Sequence, residues 1–539
     1  MKRLTALFLI LLLLLTGCQS AEPAPEQPKD PVFAPVSTEG TQIVLRDDGI
    51  TVDGEAISSD DTRAVYAAHD IVYYPTGQDF TFGEGTAADA HDADEADGHT
   101  VVHIAAAGTY VLTGSLSAGQ VAIDLGKDAK KDPNAVVTLI LNGVDITCSV
   151  APAVIFYNVY ECGDQDTGSK TVDTFAAGAN VLLADNTVNN IHGAYVAKIY
   201  KPDSVVLSKD GSEVEDAKKL HKYDGAFYSK MSMNIGGNDG VLNIRAENEG
   251  LDSELHLTIN GGEINIYSGN DGINTNEDGV SVTTVNGGRL TIQVNGETGE
   301  GDGIDSNGWL VINGGTVSAA ACSFSADSGI DSDMGIYING GTVVATGNML
   351  DQIAGGDQTY AVFSFASKQA GGGTYTLKDA AGNTVIELAA VNDFTNLIVA
   401  GDQLTPGDYT FWHGAQQLEA MAGQGFGGGM MPGGQGFGGG RMPGGQQPNG
   451  GFPEGQMPEG FDPTEGQFPE GFDPQDGQFP EGFTPPEGAP GAYPGGQEGF
   501  GGGRGPNGQS GQTGELSSTF TIAEGANYFS LVTVSARTL

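Results

Sequence analysis

The sequence predicts an all-β protein: a parallel β-helix solenoid followed by a small C-terminal β unit that a disordered low-complexity insert interrupts. Among the 539 residues are 85 glycines, and short stretches rich in Val, Ile and Thr alternate with turn residues, as in strands joined by tight turns. The tripeptide Asn-Gly-Gly recurs at intervals of 26, 27 and 26 residues, beginning at Asn260, Asn286, Asn313 and Asn339. A fixed period of this length, without a helical stretch in the repeat, indicates a solenoid.

Apolar residues occupy the same three points of each repeat. The point before the tripeptide holds Ile259, Val285, Ile312 and Ile338. The point after it holds Ile264, Leu290, Val317 and Val343, and a third point holds Leu251, Ile273, Ile304 and Ile330. Since successive side chains of a strand point to opposite faces, we expect each set to form a ladder inside the solenoid. The Asn-Gly and Gly-Gly steps would supply the positive φ angles of the corners.

The residue that follows the third apolar point is an acid or an amide in every repeat and is expected to point outward. These residues are Asp252, Asn274, Asp305 and Asp331. Stacked coils lie about 4.8 Å apart, where two carboxylates repel each other by roughly 1 kcal/mol even in water. Basic neighbours, protonation or a bound cation can offset this repulsion. The basic residues of the repeat region do not recur at one point of the repeat.

Calcium fits this pattern better than the other two options, because this hard cation takes its ligands from carboxylates, amides and backbone carbonyls. Further acidic and amide residues fall beside the same corner. The predicted Ca²⁺ ligands are Glu249, Asp252, Asn270, Asp271, Asn274, Asp302, Asp305, Asp327 and Asp331. The alternative is that Asp and Asn serve only the tight turns through local hydrogen bonds. Turn chemistry explains one such residue per corner, but not two or three in successive repeats.

The N-terminus resembles a bacterial lipoprotein signal. Lys2 and Arg3 precede a short apolar run, and Cys18 directly follows the small residues Thr16 and Gly17. This order of charged, apolar and small residues is typical of an export signal rather than of a membrane span. We therefore expect an exported protein that is lipidated at Cys18 and held at the extracellular face of the cell membrane.

Changes in composition divide the chain into seven segments. They are the signal peptide with its lipobox at 1–18, a disordered tether at 19–40, an N-terminal β segment with an acidic loop at 41–100, the parallel β-helix at 101–350, a C-terminal β unit at 351–422, the low-complexity insert at 423–514 and closing strands at 515–539. The insert is rich in Gly, Pro, Glu and Phe and has too few β-branched residues to bury a core. The acidic segment at 84–99 is predicted to be a solvated loop, because its spacing does not match a calcium loop.

Charge and cysteine content exclude several classes of function. The chain has 69 acidic and 23 basic residues, a formal net charge of −46. This balance argues against nucleic acid as a partner, because phosphate binding needs clustered Lys and Arg. The cysteines after Cys18 are Cys148, Cys162 and Cys322, without the Cys-x-x-Cys spacing of thiolate zinc sites. The sequence leaves open whether Cys148 and Cys162 pair.

The chain resembles the clostridial carbohydrate-binding proteins of the cell surface. The similar segments are AAAGTYVLTGSL, VTLILNGVDIT with APAVIFYN, GAFYSK, the acidic corners and the INGGT turns, all within roughly residues 101–348. This resemblance implies a right-handed parallel β-helix similar to polysaccharide lyases, with bound calcium and an acidic or cellulosic plant polysaccharide as ligand. The segment VYECGDQDTGSKTVDTF at 159–175 departs from the family pattern, and the low-complexity insert lies outside it.

The sequence therefore favours a non-catalytic surface lipoprotein that binds polysaccharide, with Trp309, Tyr267 and Tyr337 as candidate platforms for sugar rings. The first alternative is a polysaccharide lyase of the pectate type. Such β-elimination needs a base beside the metal, and Arg289 is the candidate within the repeats; no other catalytic residue is assigned. The second alternative is an adhesive or spacer protein of the cell envelope, in which calcium only stiffens the solenoid.

Overall fold

The computed structural model describes residues 35–163, 168–421 and 516–532. The predicted signal peptide with Cys18, most of the predicted tether and the low-complexity insert therefore lie outside the described residues. The described part is all-β, as predicted; its helices are one short α-helix, Ala93–Asp97, and the 3₁₀ turns Ala129–Lys131 and Pro202–Ser204. In these ranges no helix has the length and apolar character needed to cross a membrane.

Strands of successive repeats pair in parallel and build three sheets, which we name sheets 1, 2 and 3. Sheet 1 precedes the Asn-Gly-Gly turn, sheet 2 follows it, and sheet 3 holds the acidic corner. Sheet 1 comprises Thr41–Leu45, the first parts of Gly108–Leu116 and Val137–Cys148, and then Ala179–Leu183, Met233–Gly237, Leu257–Ile259, Val282–Val285, Trp309–Ile312, Gly335–Ile338 and Ile353–Gly355.

The other two sheets run alongside in the same order. Sheet 2 comprises the last parts of Gly108–Leu116 and Val137–Cys148, and then Val188–Gly193, Val241–Ala246, Glu263–Ser268, Arg289–Val294, Thr316–Ala320 and Thr342–Gly347. Sheet 3 comprises Thr100–Ile104, Gly119–Asp124, Val154–Asn158, Gly225–Ser229, Glu249–Ser253, Ile273–Thr275 and Ile304–Ser306, with Val65–Ala68 added antiparallel at its edge.

The register of these sheets confirms the predicted apolar ladders. Leu251 pairs with Ile273, which pairs with Ile304, and the points before and after the tripeptide align in the same way. All of these side chains are buried in one core, where each buried Leu or Ile contributes about 1.5–3 kcal/mol. The second glycine of each tripeptide has a positive φ, for example +82° at Gly288, as predicted from the Gly-Gly steps.

A hairpin and two further antiparallel strand pairs lie outside the repeats. The hairpin strands Thr51–Val52 and Glu55–Ala56 extend the start of sheet 1. Between sheet 2 and sheet 3 the chain forms two antiparallel pairs, Val196–Tyr200 with Lys219–Tyr223 and Val206–Leu207 with Val214–Asp216. We name the first of these pairs the lysine hairpin.

The C-terminal β unit has its own core and contains residues from both sides of the low-complexity insert. Its strands are Tyr360–Gln369, Thr374–Asp379, Thr384–Ala389, Phe394–Ala400, Gly407–His413, Gln416–Gln417, Glu419–Met421, Leu516–Ser517, Phe520–Ile522 and Ala526–Val532. Ala526–Val532 pairs with Tyr360–Gln369, so residues after the insert complete a sheet that residues before it begin. Phe394–Ala400 also pairs with the last strand of sheet 2, and this pairing caps the edge of that sheet.

The structure decides two local questions, the conformation of the segment at 84–99 and the state of Cys148 and Cys162. The segment at 84–99 is not wholly a loop, because Asp92 caps the helix Ala93–Asp97 by accepting the amide of Glu95 at 2.8 Å. Ala96, which is 1 % exposed, anchors this helix in the core. The pairing of Cys148 with Cys162 does not occur, since both cysteines are free thiols.

Candidate functional site

Two rows of polar side chains cross the strands of sheet 3 at the predicted acidic corner. The first row is Glu249, Asp271, Asp302 and Ser328, which adjoin through backbone hydrogen bonds between successive repeats. The second row is Asp252, Asn274, Asp305 and Asp331. We name the acidic and amide members of both rows the acidic strip: Glu249, Asp252, Asp271, Asn274, Asp302, Asp305 and Asp331. The structure thus brings together all the predicted calcium ligands except Asn270 and Asp327.

The remaining two predicted ligands flank the strip and do not adjoin each other. Gly301 lies between them, because its amide donates to Asp327 Oδ2 at 2.7 Å and its backbone packs against Asn270. Asn270 itself donates its amide to the carbonyl of Asn248 at 3.0 Å. These two residues therefore belong to a third, discontinuous row.

Part of the strip supports the fold through hydrogen bonds between repeats. Asp271 Oδ1 accepts the amide of Asp302 at 2.7 Å, and Asp302 Oδ1 accepts the amide of Ser328 at 2.5 Å. Asn274 Nδ2 donates to Glu249 Oε1 at 2.9 Å. Local hydrogen bonding therefore accounts for one oxygen of each of these carboxylates, although the bonds run between repeats rather than within one turn.

The upstream end of the strip is buried, whereas the sequence predicts outward-pointing carboxylates. Asp252 is fully buried and Glu249 is 5 % exposed. The lysine hairpin lies against this end: the rings of Tyr223 and Tyr228 are 5.1 Å apart, and Tyr228 is the register partner of Asp252. The lysine hairpin falls outside the repeat period, so the repeat pattern does not indicate it.

Lys222 of the lysine hairpin is the functional residue that the sequence reasoning missed. Its Nζ donates to Asn276 Oδ1, and Asn276 Nδ2 donates to Asp252 Oδ1 at 2.6 Å. Burial alone would lower the pKa of Lys222, but the surrounding carboxylates, Glu254 first among them, outweigh burial and raise this pKa. Lys222 is therefore a built-in cation at the upstream end of the strip.

Two carboxylate oxygens nevertheless stay without a partner beside Lys222. Glu249 Oε2 and Asp252 Oδ2 are buried and accept no hydrogen bond from the described residues. A buried polar atom left unpaired costs about 1–3 kcal/mol, and more when it is charged. These oxygens are therefore suited to accept a cation or a proton.

Burial and mutual repulsion disfavour the charged form along the whole strip. Burial, followed by neighbouring carboxylates, raises the pKa of Glu249 to about 7, of Asp305 to about 8 and of Asp331 to about 7. The same two causes, in the same order, raise the pKa values of Asp252, Asp271 and Asp302 well above their usual range. Full ionisation of the strip at neutral pH therefore requires additional positive charge.

The donor set of the strip fits a hard divalent cation. Asp271, Asp302 and Asp305 supply carboxylates and Asn274 supplies an amide oxygen, the ligand types that Ca²⁺ prefers. Within the described ranges, no group of three or more His, Cys, Asp or Glu side chains is already arranged to hold a metal ion. A cation at the strip would therefore complete its shell with amide, carbonyl or water oxygens.

Neither Arg289 nor Lys222 supplies a base beside the strip. Arg289 begins a strand of sheet 2 and is exposed, whereas the strip lies on sheet 3. Lys222 lies beside the strip, and its raised pKa keeps the ammonium protonated. A protonated ammonium cannot abstract the proton that β-elimination removes.

The predicted sugar platforms lie on two different sheets. Trp309 and Tyr337 are on sheet 1, and Tyr267 is on sheet 2. The segment 168–178 covers the sheet 1 pair: Lys170 Nζ is 3.8 Å from the centroid of the Tyr337 ring, and a Cβ on Gly168 would meet Trp309 ring atoms at 2.7 Å. Tyr267 is therefore the platform that this segment leaves uncovered.

The fold and the strip define a parallel-stranded repeat protein with a largely buried acidic strip, and comparisons with known proteins place it in a family. Residues 97–386 match the model of the carbohydrate-binding domain-containing proteins. Because this match spans more than half of the 539 residues, the chain belongs to that family. The family resemblance recognised in the sequence is thereby confirmed.

A solved structure also matches, that of the polysaccharide lyase-like protein from C. thermocellum in its gadolinium derivative. The two chains are 18% identical, the match covers 59% of this chain and 99% of that one, and the TM-score is 0.31. No curated protein matches the sequence.

Proposed function

We propose that this protein is a non-catalytic, calcium-stabilised carbohydrate-binding lipoprotein of the cell surface. In this proposal the stacked sheets form a right-handed parallel β-helix, and Cys18 carries the lipid that holds the protein at the extracellular face of the membrane. The polysaccharide ligand is acidic or cellulosic. The observation that carries the proposal is membership of the carbohydrate-binding domain-containing family over residues 97–386.

The acidic strip supports the calcium part of the proposal. Its carboxylates lie one repeat apart, their pKa values are raised, and two buried oxygens lack partners. Bound Ca²⁺ would supply the positive charge that Lys222 supplies at the upstream end. Because that end is buried, we assign the metal a role in stabilising the fold rather than in bridging to the sugar.

The surroundings of the strip favour binding over elimination. Lys222 stays protonated and Arg289 lies on another sheet, so neither residue supplies a base beside the strip. A pectate-type lyase is therefore the weaker candidate. Binding to immobilised polysaccharides distinguishes a sugar-binding protein from a spacer protein without a sugar ligand.

Retention on immobilised polysaccharides tests the proposed function. We expect the purified chain to be retained on pectin or cellulose, and not on an unrelated glycan, in buffer with Ca²⁺. We also expect no absorbance of unsaturated sugar product, because neither Lys222 nor Arg289 supplies a base beside the strip. Product release would instead indicate a lyase, and failure to bind any glycan would leave the spacer function.

A further inference from the structure

The outer face of sheet 2 carries a shallow groove of about 350 Å³. Two rows of polar side chains line it, in register across neighbouring strands. One row is His192, Arg245, Tyr267 and Gln293; the other is Asn243, Asn265 and Thr291, and Asn190 continues this second row beyond the groove. Neighbouring strands lie about 4.8 Å apart, so the first row spans about 14 Å, long enough for a short oligosaccharide.

The residues of the groove are held in fixed positions. Asn243 Nδ2 donates to Asn190 Oδ1 at 2.9 Å, and Asn265 Nδ2 donates to Asn243 Oδ1 at 3.1 Å. The guanidinium of Arg245 lies 5.2 Å from the centroid of the Tyr267 ring, a cation–π contact that orients its planar fork. The groove is therefore preorganised, which reduces the entropy lost when a ligand binds.

One end of the groove is closed by the C-terminal β unit. Gln293 Nε2 donates to Asn392 Oδ1 at 3.3 Å, and Asn392 Nδ2 donates to the carbonyls of Val294 at 2.6 Å and Ala321 at 2.7 Å. His192, at the other end of the first row, is exposed. A saccharide chain would therefore enter past His192 and end against Gln293.

Arg245 is a surface cation on a strongly acidic protein. It is exposed and forms no ion pair with any residue in the described ranges. With 69 acidic and 23 basic residues, most of the surface repels an anionic polymer. A free guanidinium provides a local exception, since it binds a carboxylate through two parallel hydrogen bonds.

We infer that this groove is the saccharide-binding site and that it takes a carboxylated saccharide of the uronate type. Arg245 binds the carboxylate, Tyr267 packs against the apolar face of a sugar ring, and the asparagine row supplies hydrogen bonds to hydroxyls. This inference rests on the proposed function and adds to it the location of the site and the class of sugar. It also separates the sugar site on sheet 2 from the acidic strip on sheet 3.

Calorimetric titration with trigalacturonate, and with cellotriose as the neutral match, tests this inference in Ca²⁺-containing buffer. We expect the wild-type chain to prefer trigalacturonate. Arg245→Gln should weaken that binding about tenfold or more, and Tyr267→Ala by a similar factor, because each removes a direct contact. Arg245→Lys should retain part of the affinity, since a lysine keeps the charge but loses the bidentate geometry.

Arg63→Gln is the matched control, because it removes the same charge from an exposed arginine outside the groove. We expect its affinity to stay within about twofold of wild type. The inference would be overturned if neither Arg245→Gln nor Tyr267→Ala weakened trigalacturonate binding, or if the wild-type chain bound cellotriose with equal affinity. Either result would leave the proposed carbohydrate binding intact. Failure of the wild-type chain to bind these sugars or any immobilised polysaccharide would overturn the proposed function itself.

Discussion

Replacing Lys222 by methionine should lower the free energy of unfolding by about 3 kcal/mol, because removing one partner of a buried charge cluster leaves the others uncompensated. Lys222 is half-buried, and its ammonium lies among the carboxylates of Asp224, Glu249, Asp252 and Glu254. Methionine retains most of the side-chain volume, so the loss of stability results from the missing charge rather than from a cavity. Urea unfolding at neutral pH in Ca²⁺-containing buffer measures it.

The control for Lys222→Met is Lys230→Met, which removes an exposed lysine at the end of a strand of sheet 3. Its stability should change by no more than about 0.5 kcal/mol. Added Ca²⁺ should raise the melting temperature of Lys222→Met more than that of the wild-type chain, because the cluster then lacks its built-in cation. Indistinguishable unfolding of the two variants would contradict the role assigned to Lys222.

Replacing Asp305 by asparagine should have opposite effects with and without calcium. In chelator we expect the variant to be more stable than the wild-type chain, on the order of 2 kcal/mol, because burial and the neighbouring Asp331 raise the pKa of Asp305 to about 8. In Ca²⁺ we expect it to lose that advantage and to bind the metal more weakly, since it lacks one anionic ligand. Asn274 occupies the same row on the neighbouring strand, so this row already accommodates an amide.

The raised pKa of Asp305 also predicts how the stability difference between the wild-type chain and Asp305→Asn changes with pH. A carboxyl group whose pKa is raised in the folded state stabilises the fold at low pH, and this contribution is lost as the pH rises through the folded pKa. In chelator, the wild-type chain should therefore gain stability relative to Asp305→Asn as the pH falls from about 8 to about 5.

This comparison isolates Asp305 from other titrating groups. Burial lowers the pKa of His256 to about 4. The fold therefore loses stability as the pH falls below the pKa of His256 in the unfolded chain, but this loss is equal in both proteins. Thermal unfolding at a series of pH values gives the difference directly. A variant that is less stable than wild type both in chelator and in Ca²⁺ would contradict the account of repulsion within the strip.

Much of the fold could be predicted from the sequence because the repeats satisfy two periodicities at once. Alternation within each strand selected the buried residues, and the 26-to-27-residue spacing placed them in register, as the pairing of Leu251, Ile273 and Ile304 illustrates. The short helix at Ala93–Asp97 could not be predicted, because its Asp-rich sequence is typical of a solvated loop and only the structure shows that Asp92 caps a helix.

The acidic strip could be predicted only in part. Its members fall in two columns of the repeat, so their proximity follows from the sequence alone. Lys222 could not be found in this way, because it belongs to a non-repeated hairpin that returns to sheet 3 and places one cation beside Asp252. For the same reason the cover over Trp309 and Tyr337 comes from the segment 168–178, which departs from the repeat.

Metal content and chelator sensitivity, measured on one preparation, test the calcium-stabilised fold most directly. After dialysis against metal-free buffer, elemental analysis should find calcium bound to the wild-type chain, and excess chelator should lower its melting temperature. Re-addition of Ca²⁺ should restore that temperature, because a ligand that binds the folded state stabilises it. A dialysed protein that holds no calcium and whose melting temperature does not respond to chelator or to added Ca²⁺ would contradict the account.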